Sequence, residues 1–587
     1  MEEGITHLRE KIIAGLQRYA LPFTTVQPGS GFDDLMPLKQ VIGDARIVAL
    51  GEATHGTREF FLMKHRLLEF LVKEMHFTLF AIEATWAEAN LINDYVHTGK
   101  GDPAQLLAGL YFWTWNTQEV LDMILWMRAH NEAPGNAPTI SFRGFDMQSF
   151  RLAMENVLTS LHEVVPEVEE EVKTLFAPFQ QYTDRTLEYS ELPLQTRSEY
   201  RANLQRVYDL LLEHRATYEA LSSREQFAHA LQSARIVMQA ESMFASEEHE
   251  SRDQYMAENV SWLLEQAEPE AKIVLWAHNG HIGEESGDSM GYHLRQRYGD
   301  AMITFGFSFY QGSFHAVDYQ PSSESRGMLI SHETPPPPEE SYEHMLGAVG
   351  LPQLFLNLRE MPADSAVADW LSGPHLVRSI GAVYSAPHYR NFFSLAHLPK
   401  EYDVLIHLQD TTPSVLLSSV NRQKKRVIQH MQRQPRNLNF EAGWTGWYMT
   451  GDHPQDYERR LEHLGEGQEN GCVSFASKGD EAPGFGALAQ MIMADEYRGK
   501  QLRMAADVKS KEIEQWAGLW MRVDGPDGQS QSFDNMQDRA IKGTSDWTRY
   551  EIVLPVFEES QAVVFGILLC GKGQLWLRNV HIEVIEQ

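Results

Sequence analysis

Four loops of this chain set ionisable side chains directly after short apolar runs. Glu52 and His55 follow Ala45–Leu50, Glu83 follows Phe77–Ile82, Asp146 follows Ile140–Phe145, and His278 and His281 follow Lys272–Ala277. If those runs are parallel strands, their C-terminal ends open on one edge of a sheet, where ligand sites of α/β proteins form. Each such acid also has a plain reading as a helix cap or an ion-pair partner. Together the four loops point to one cleft.

The histidine of Gly51-Glu52-Ala53-Thr54-His55-Gly56 suits a general base near neutral pH. Its alternative is to cap the helix expected near Arg58. The flanking glycines are expected to permit unusual backbone angles and close ligand approach. Glu83 ends a buried apolar run, so burial is expected to perturb it. It would hold His55 in one tautomer or serve as a second base. His278-Asn279-Gly280-His281 puts two histidines three positions apart, a weak metal signal without an H-E-x-x-H partner. A divalent metal at His55, Glu83, His278 and His281 stands as an alternative. No other cofactor is expected.

Standard nucleophiles are missing. Gly306-Phe307-Ser308-Phe309-Tyr310 lacks the second glycine of a nucleophile elbow. The two cysteines, Cys472 and Cys570, fall outside the α/β part. There is no phosphate-binding P-loop sequence, and the G-x-G-x-x-A match at Gly484–Ala489 lies in a strand-rich region without the required context. Hydrolysis by an activated water is the economical chemistry. Trp86, Trp113 and Trp115, with the aromatic run Tyr111–Trp115, either fill the core or wall a site for a large apolar ligand.

The elements that must position these residues alternate between strand and helix. Helical spacing is expected from Phe60 to Lys73, Trp86 to Tyr95 and Glu119 to His130. Further strands are expected at Met302–Phe307, Ile380–Tyr384 and Tyr402–His407. The fold class is therefore α/β: a mostly parallel sheet covered by helices, spanning residues 1–417 with a long helical insertion at about 150–268. Residues 418–436 read as a linker holding the basic run Arg422–Arg426. Residues 437–587 read as an all-β sandwich, with strands at Leu488–Met493, Leu502–Val508, Leu519–Val523, Tyr550–Val556, Val563–Leu569 and Leu575–Ile585.

Composition narrows the function classes. The chain has 587 residues, 50 Lys and Arg against 81 Asp and Glu, and a net charge of −31. Such a surface repels phosphate backbones and anionic membranes, so neither nucleic acid nor membrane is an expected partner. Two cysteines exclude a disulfide scaffold. The start, MEEGITHLRE, has neither a basic nor an apolar leader region, so a cytoplasmic location is expected.

The stretches VALGEATHGTREFF, FAIEA, INDYV, FWTWNTQEV, FRGFDMQ, RDQYMAENV and VLWAHNGHI resemble the erythromycin esterase family, in the same order from about residue 30 to 415. The resemblance implies a deep cleft and hydrolysis of a macrolide lactone or related ester by histidine-activated water. It makes His55 the base and groups Glu52, Glu83 and His278 with it. Lys64 stands at a position of the cleft where some relatives carry arginine, and Arg252 is a further cleft residue. His281, Asp146 and the three tryptophans would then contact substrate. Some similar proteins are described only as succinoglycan-biosynthesis-like, so ester chemistry is the firmer implication. The opening Asn439–Trp444 with Trp447 is similar to carbohydrate-binding jelly-roll domains, so the tail is expected to bind a carbohydrate or another domain. Trp516, Trp520, Trp547 and Trp576 form either a ligand platform or the sandwich core. Two rival readings remain: a metal-dependent hydrolase in the same cleft, and a binding or regulatory protein without turnover.

Overall fold

The computed structural model describes residues 2–135, 139–183, 189–190, 192–245, 250–285, 287–319, 327–361, 365–417, 434–441, 444, 446–451, 456–462, 471–479, 484–525 and 530–585. Residues 418–433 of the expected linker, with the basic run Arg422–Arg426, lie outside them, as do 184–188, 191 and 246–249 of the expected helical insertion. The chain divides into two compact units: Met1–Asp184, Gln195–Asp318 and Leu329–Gln423 in the first, and Arg185–Leu194, Tyr319–Met328 and Lys424–Gln587 in the second.

The strands of the first unit are, in chain order, β1 (Leu21–Pro22), β2 (Ile47–Leu50), β3 (Leu79–Thr85), β4 (Ser141–Asp146), β5 (Ile273–Trp276), β6 (Met302–Asp318), β7 (Leu329–Glu333), β8 (Gln353–Asn357), β9 (His375–Arg378), β10 (Val383–Tyr384), β11 (Phe393–Ala396) and β12 (Val404–Thr411). The main sheet runs in the order β1-β8-β12-β6-β2-β5-β3-β4, with β7 and β10 added to β6. From β12 to β4 every neighbour pair is parallel, and β8 and β1 close one side antiparallel. The inner strands IVAL, LFAIEAT and IVLW are buried at every position, the signature of a sheet covered on both faces. The helix Arg58–Met75 lies in the same core, with Phe60, Phe61, Leu67, Leu68 and Leu71 buried. Among the described residues, the helices Arg151–Val164, Pro166–Gln180, Leu194–Glu213, Arg215–Leu221, Arg224–Ala245 and Glu250–Gln266 intervene between β4 and β5. Among the described residues no helix is long and apolar enough to cross a membrane.

Two expectations change. Met302–Phe307 is only the first third of β6, which is 17 residues long in all and continues to Asp318. Ile380–Tyr384 is strand only at Val383–Tyr384; Ile380 instead straps across the loop after β2, bridging to Thr54 and donating its N–H to the Ala53 carbonyl at 2.8 Å.

The second unit is an antiparallel β structure, as expected. Its strands are β13 (Tyr448–Gly451), β14 (Tyr457–Glu462), β15 (Cys472–Ser477), β16 (Phe485–Met493), β17 (Lys500–Asp524), β18 (Ser530–Asp534), β19 (Ile541–Val556), β20 (Ala562–Cys570) and β21 (Gln574–Ile585). The segments expected as separate strands at Leu502–Val508 and Leu519–Val523 are one 25-residue strand. The first half of β17 pairs with β19 and β21 and the second half with β20 and β18. The register with β19 shifts between Val508 and Ala517, where β17 passes from one set of partners to the other within a single hydrogen-bonded sheet. Trp447, Phe475, Leu488, Met504, Leu519 and Phe565 share one core.

Candidate active site

Each loop leaves its strand on the same edge. β2 ends at Leu50, and the chain turns at Gly51. A Cβ there would stand 2.2 Å from the Asn279 side-chain oxygen, and one at Gly56 would stand 2.0 Å from the His315 carbonyl. Neither glycine is among those with positive φ. The expected backbone freedom is thus not their role; close packing of the loop is. The Asn279 amide donates to the Phe307 carbonyl (2.8 Å) and accepts from the Phe307 N–H (3.1 Å), filling the ladder beyond the end of β2.

Glu52 is completely buried and is the acceptor for three donors. Its Oε1 accepts from His55 Nδ1 at 2.7 Å; its Oε2 accepts from Lys64 Nζ at 2.6 Å and from the Trp276 indole N–H at 2.8 Å. Burial alone would raise this carboxyl, but the Lys64 ammonium and His55 hold it below its ordinary range. With Glu52 ionised, the proton of neutral His55 sits on Nδ1. The Nε2 lone pair has no partner among the described residues, and the ring is 13% exposed. His55 does not cap the helix: Thr57 holds that position.

Lys64 was expected to reach the cleft, but its side chain is fully buried beneath Glu52, 4.3 Å from the Trp276 ring and 5.5 Å from that of Phe307. Burial pushes its ammonium down to about 8, against the opposing pull of Glu52. It therefore neutralises Glu52 and has no surface on which to contact substrate.

A second carboxylate cluster lies beside the first. Pairing of β3 with β4 shifts between Ile82 and Thr85, and Glu83 stands in that irregularity. Its Oε1 accepts from Arg252 at 2.8 Å and lies 3.3 Å from His281 Nε2, while Oε2 accepts the His278 N–H at 3.0 Å. Burial would raise this carboxyl; His281 and Arg252 hold it well below the carboxylate range. Glu83 is thus not bonded to His55, and it is neither the orienting acid nor a free base. Asp146, with no exposed surface, accepts from Arg252 through both oxygens (2.8 and 3.3 Å) and from Gln148 at 2.6 Å. It anchors the guanidinium rather than a ligand.

The two histidines after β5 separate in role. His278 accepts the Gly280 N–H on Nδ1 (3.2 Å) and lies 3.1 Å from the Ile380 carbonyl through Nε2, which fixes the neutral Nε2–H tautomer. Burial, followed by the fields of His55 and His281, drives it down to about 3. Its ring is 4.9 Å from that of His55. It packs against the base but has no spare proton to give. His281 lies between two carboxylates, Asp253 (Nδ1, 2.8 Å) and Glu83. Burial would lower it, yet those carboxylates push it up to about 10. His281 and Arg252 remain partly exposed, at 22% and 16%.

The tryptophans part as well. Trp86 is buried against Trp262 and His229 (ring centroids 5.8 and 5.6 Å) and belongs to the core, not to a cleft wall. Trp115 is buried with its ring 6.1 Å from His55 and edge-on to Trp276, so it backs the base. Trp113 is half-buried. Among the described residues no group of three or more His, Cys, Asp or Glu is arranged to hold a metal ion. Of the four groups suggested as metal ligands, His278 has both nitrogens engaged and Glu83 both oxygens. Two further site residues, Trp276 and Asp253, carry no signal as ionisable groups directly beyond a strand. Trp276 is the last residue of β5, and Asp253 is the neighbour of Arg252.

Comparison with known proteins follows the same line. A family model described as erythromycin esterase matches residues 72–411. Erythromycin esterase type II of Escherichia coli is 27% identical over 429 residues, 67% of this chain and 96% of its own. An uncharacterized HTH-type transcriptional regulator, YbfP of Bacillus subtilis, is 37% identical over 150 residues, 25% of this chain and 50% of its own length. The crystal structure of a succinoglycan biosynthesis protein, 28% identical with a TM-score of 0.61, covers 70% of this chain and 99% of that one.

Proposed function

Because the chain belongs to the erythromycin esterase family, we propose that it hydrolyses carboxylic esters, with a macrolide lactone or a related large ester as substrate, by water activated at His55. One observation carries this reading: His55 has Nδ1 2.7 Å from the buried Glu52 carboxylate, and its Nε2 has no hydrogen-bond partner among the described residues. His55 Nε2 takes a proton from water as the oxygen adds to the ester carbonyl. The tetrahedral oxyanion forms beside the partly exposed cations Arg252 and His281. Collapse breaks the bond to the alkoxide, which takes the proton back from His55, so one imidazole serves as base and then as acid. The half-buried Trp113 would meet the apolar part of the substrate. The protein would act as a cytoplasmic enzyme and, toward macrolides, as a resistance factor.

The test is incubation with a panel of macrolides and simple esters, read by mass spectrometry. A product heavier by one water is expected with at least one ester; a panel without such a product contradicts the reading.

For the second unit we propose carbohydrate binding. Trp516 and Trp520 pack with Ala487, Ala489, Val564 and Leu568 and are spent on packing. Trp547 and Trp576 are half-buried instead. Arg578 lies 4.0 Å over Trp547 and Lys509 5.7 Å over Trp576, whose indole N–H donates to Glu462 at 2.9 Å. Flat indoles beside guanidinium and carboxylate groups suit a polyol. Calorimetric titration of the whole chain with oligosaccharides should show binding lost on Trp576→Ala. Absence of binding to any of them counts against it.

A further inference from the structure

We infer that Trp276 is a positioning residue for the base: its indole fixes both members of the Glu52–Lys64 pair and, through Glu52, the protonation pattern of His55. The inference rests on the reading of His55 as the base. Trp276 closes β5 with no exposed surface. Its N–H is one of the three donors to Glu52, at 2.8 Å from Oε2, the oxygen that also takes Lys64. Its π face receives the Lys64 ammonium at 4.3 Å. Its edge meets Trp115 at 5.9 Å, and Trp115 in turn lies 6.1 Å from His55. One side chain thus touches the acid, its counter-ion and the wall behind the base.

The physical consequence follows from charge. Glu52 Oε2 is held by a cation and a neutral donor, leaving Oε1 for His55. Removing the neutral donor leaves more of the carboxylate charge to the imidazole, which then holds its proton more tightly. It also leaves Lys64 as the remaining donor to Oε2, so the carboxyl is held there by one contact in place of two. The ionisable groups that act on His55 are Glu52 on its own loop and His278 after β5, with Lys64 and Glu83 behind them. Of these, Trp276 contacts Glu52 and Lys64, so a change at Trp276 reaches His55 through that pair. A packing residue alone would change stability, not the titration of a ring it does not touch.

The experiment compares full-length wild type, Trp276→Phe, and protein with 3-benzothienylalanine substituted at position 276, which keeps the indole shape without its N–H. The His55 ring is followed by NMR with labelled histidine, its signal assigned by loss in His55→Gln, and turnover is measured in parallel. In both variants the midpoint of His55 titration is expected to rise by about half a unit or more. The kcat of any ester substrate should fall by roughly tenfold with KM little changed. An unchanged midpoint in the benzothienyl protein overturns the role of Trp276. Because the titration needs no substrate, this result is separate from failure of the esterase reading, which shows as equal turnover by His55→Gln and wild type.

Discussion

Glu52 Oε1 lies 2.7 Å from His55 Nδ1, and the two residues are only three positions apart in one loop. An acid and a base so close in sequence leave the tautomer of the imidazole no freedom. The loop that carries them is locked by the close approach of Gly51 and Gly56 to neighbouring elements. Everything proposed for turnover follows from that lock.

Glu52→Gln should test it first. A buried amide would offer His55 Nδ1 a donor in place of an acceptor and favour the Nε2–H tautomer, which has no lone pair for water. Turnover should fall by ~10²-fold or more. The same change leaves the Lys64 ammonium buried and unpaired, so the melting temperature should also drop. Retained activity in a folded Glu52→Gln protein would contradict the assignment.

Lys64 gives a pH dependence with a defined sign. Its ammonium is charged below about 8 and neutral above. Above that pH, Glu52 loses its counter-ion next to the site where the oxyanion forms. Turnover should therefore decline on the alkaline side near pH 8. Arginine stays charged throughout this range, so in Lys64→Arg the decline should move to higher pH. A pH–rate profile that is flat from 7 to 10 in wild type would count against it.

Arg252 bridges two buried carboxylates, Glu83 and Asp146, at 2.8 Å each. Arg252→Met should destabilise the fold by roughly 3–5 kcal/mol at pH 7, since it removes the cation that both buried carboxylates share. At lower pH the deficit should shrink, because Glu83 without its cation is no longer held so far below the carboxylate range and can take up a proton. In wild type the depressed Glu83 works in the opposite sense: its contribution is present above the ordinary carboxylate range and is lost only as pH falls well below it. Chemical denaturation of both proteins from pH 7 down to below the ordinary carboxylate range measures both.

Chelation addresses the metal-dependent alternative. His278 and Glu83 have their nitrogens and oxygens committed within the protein. Dialysis against a strong chelator should leave ester turnover unchanged. Loss of activity restored by a divalent ion would favour the rival chemistry.

Much of the arrangement was legible from sequence because parallel strands align their ends. β2, β3, β4 and β5 carry Glu52, Glu83, Asp146 and His278 to one edge by register alone. What was not legible was the distribution of contacts within the cluster. Position beyond a strand does not say whether Lys64 faces a cleft or lies beneath a carboxylate, because helix periodicity gives a face but not its depth. Nor does it separate His278 from His281, whose surroundings are set by Ile380 and Asp253, both remote in sequence. Trp86 and Trp115 look alike as sequence, yet one packs against Trp262 and the other against the base. In the second unit, alternation marked the strands, but the continuity of β17 from one set of partners to the other depends on pairing shifts that no local pattern announces.

The most direct measurement is the rate of ester hydrolysis by wild type and by His55→Ala, with the fold of each checked by circular dichroism. The account requires a folded variant whose turnover is lower by ~10²–10⁴-fold, the usual effect of losing a general base. Equal rates in the two proteins on the same ester would contradict it.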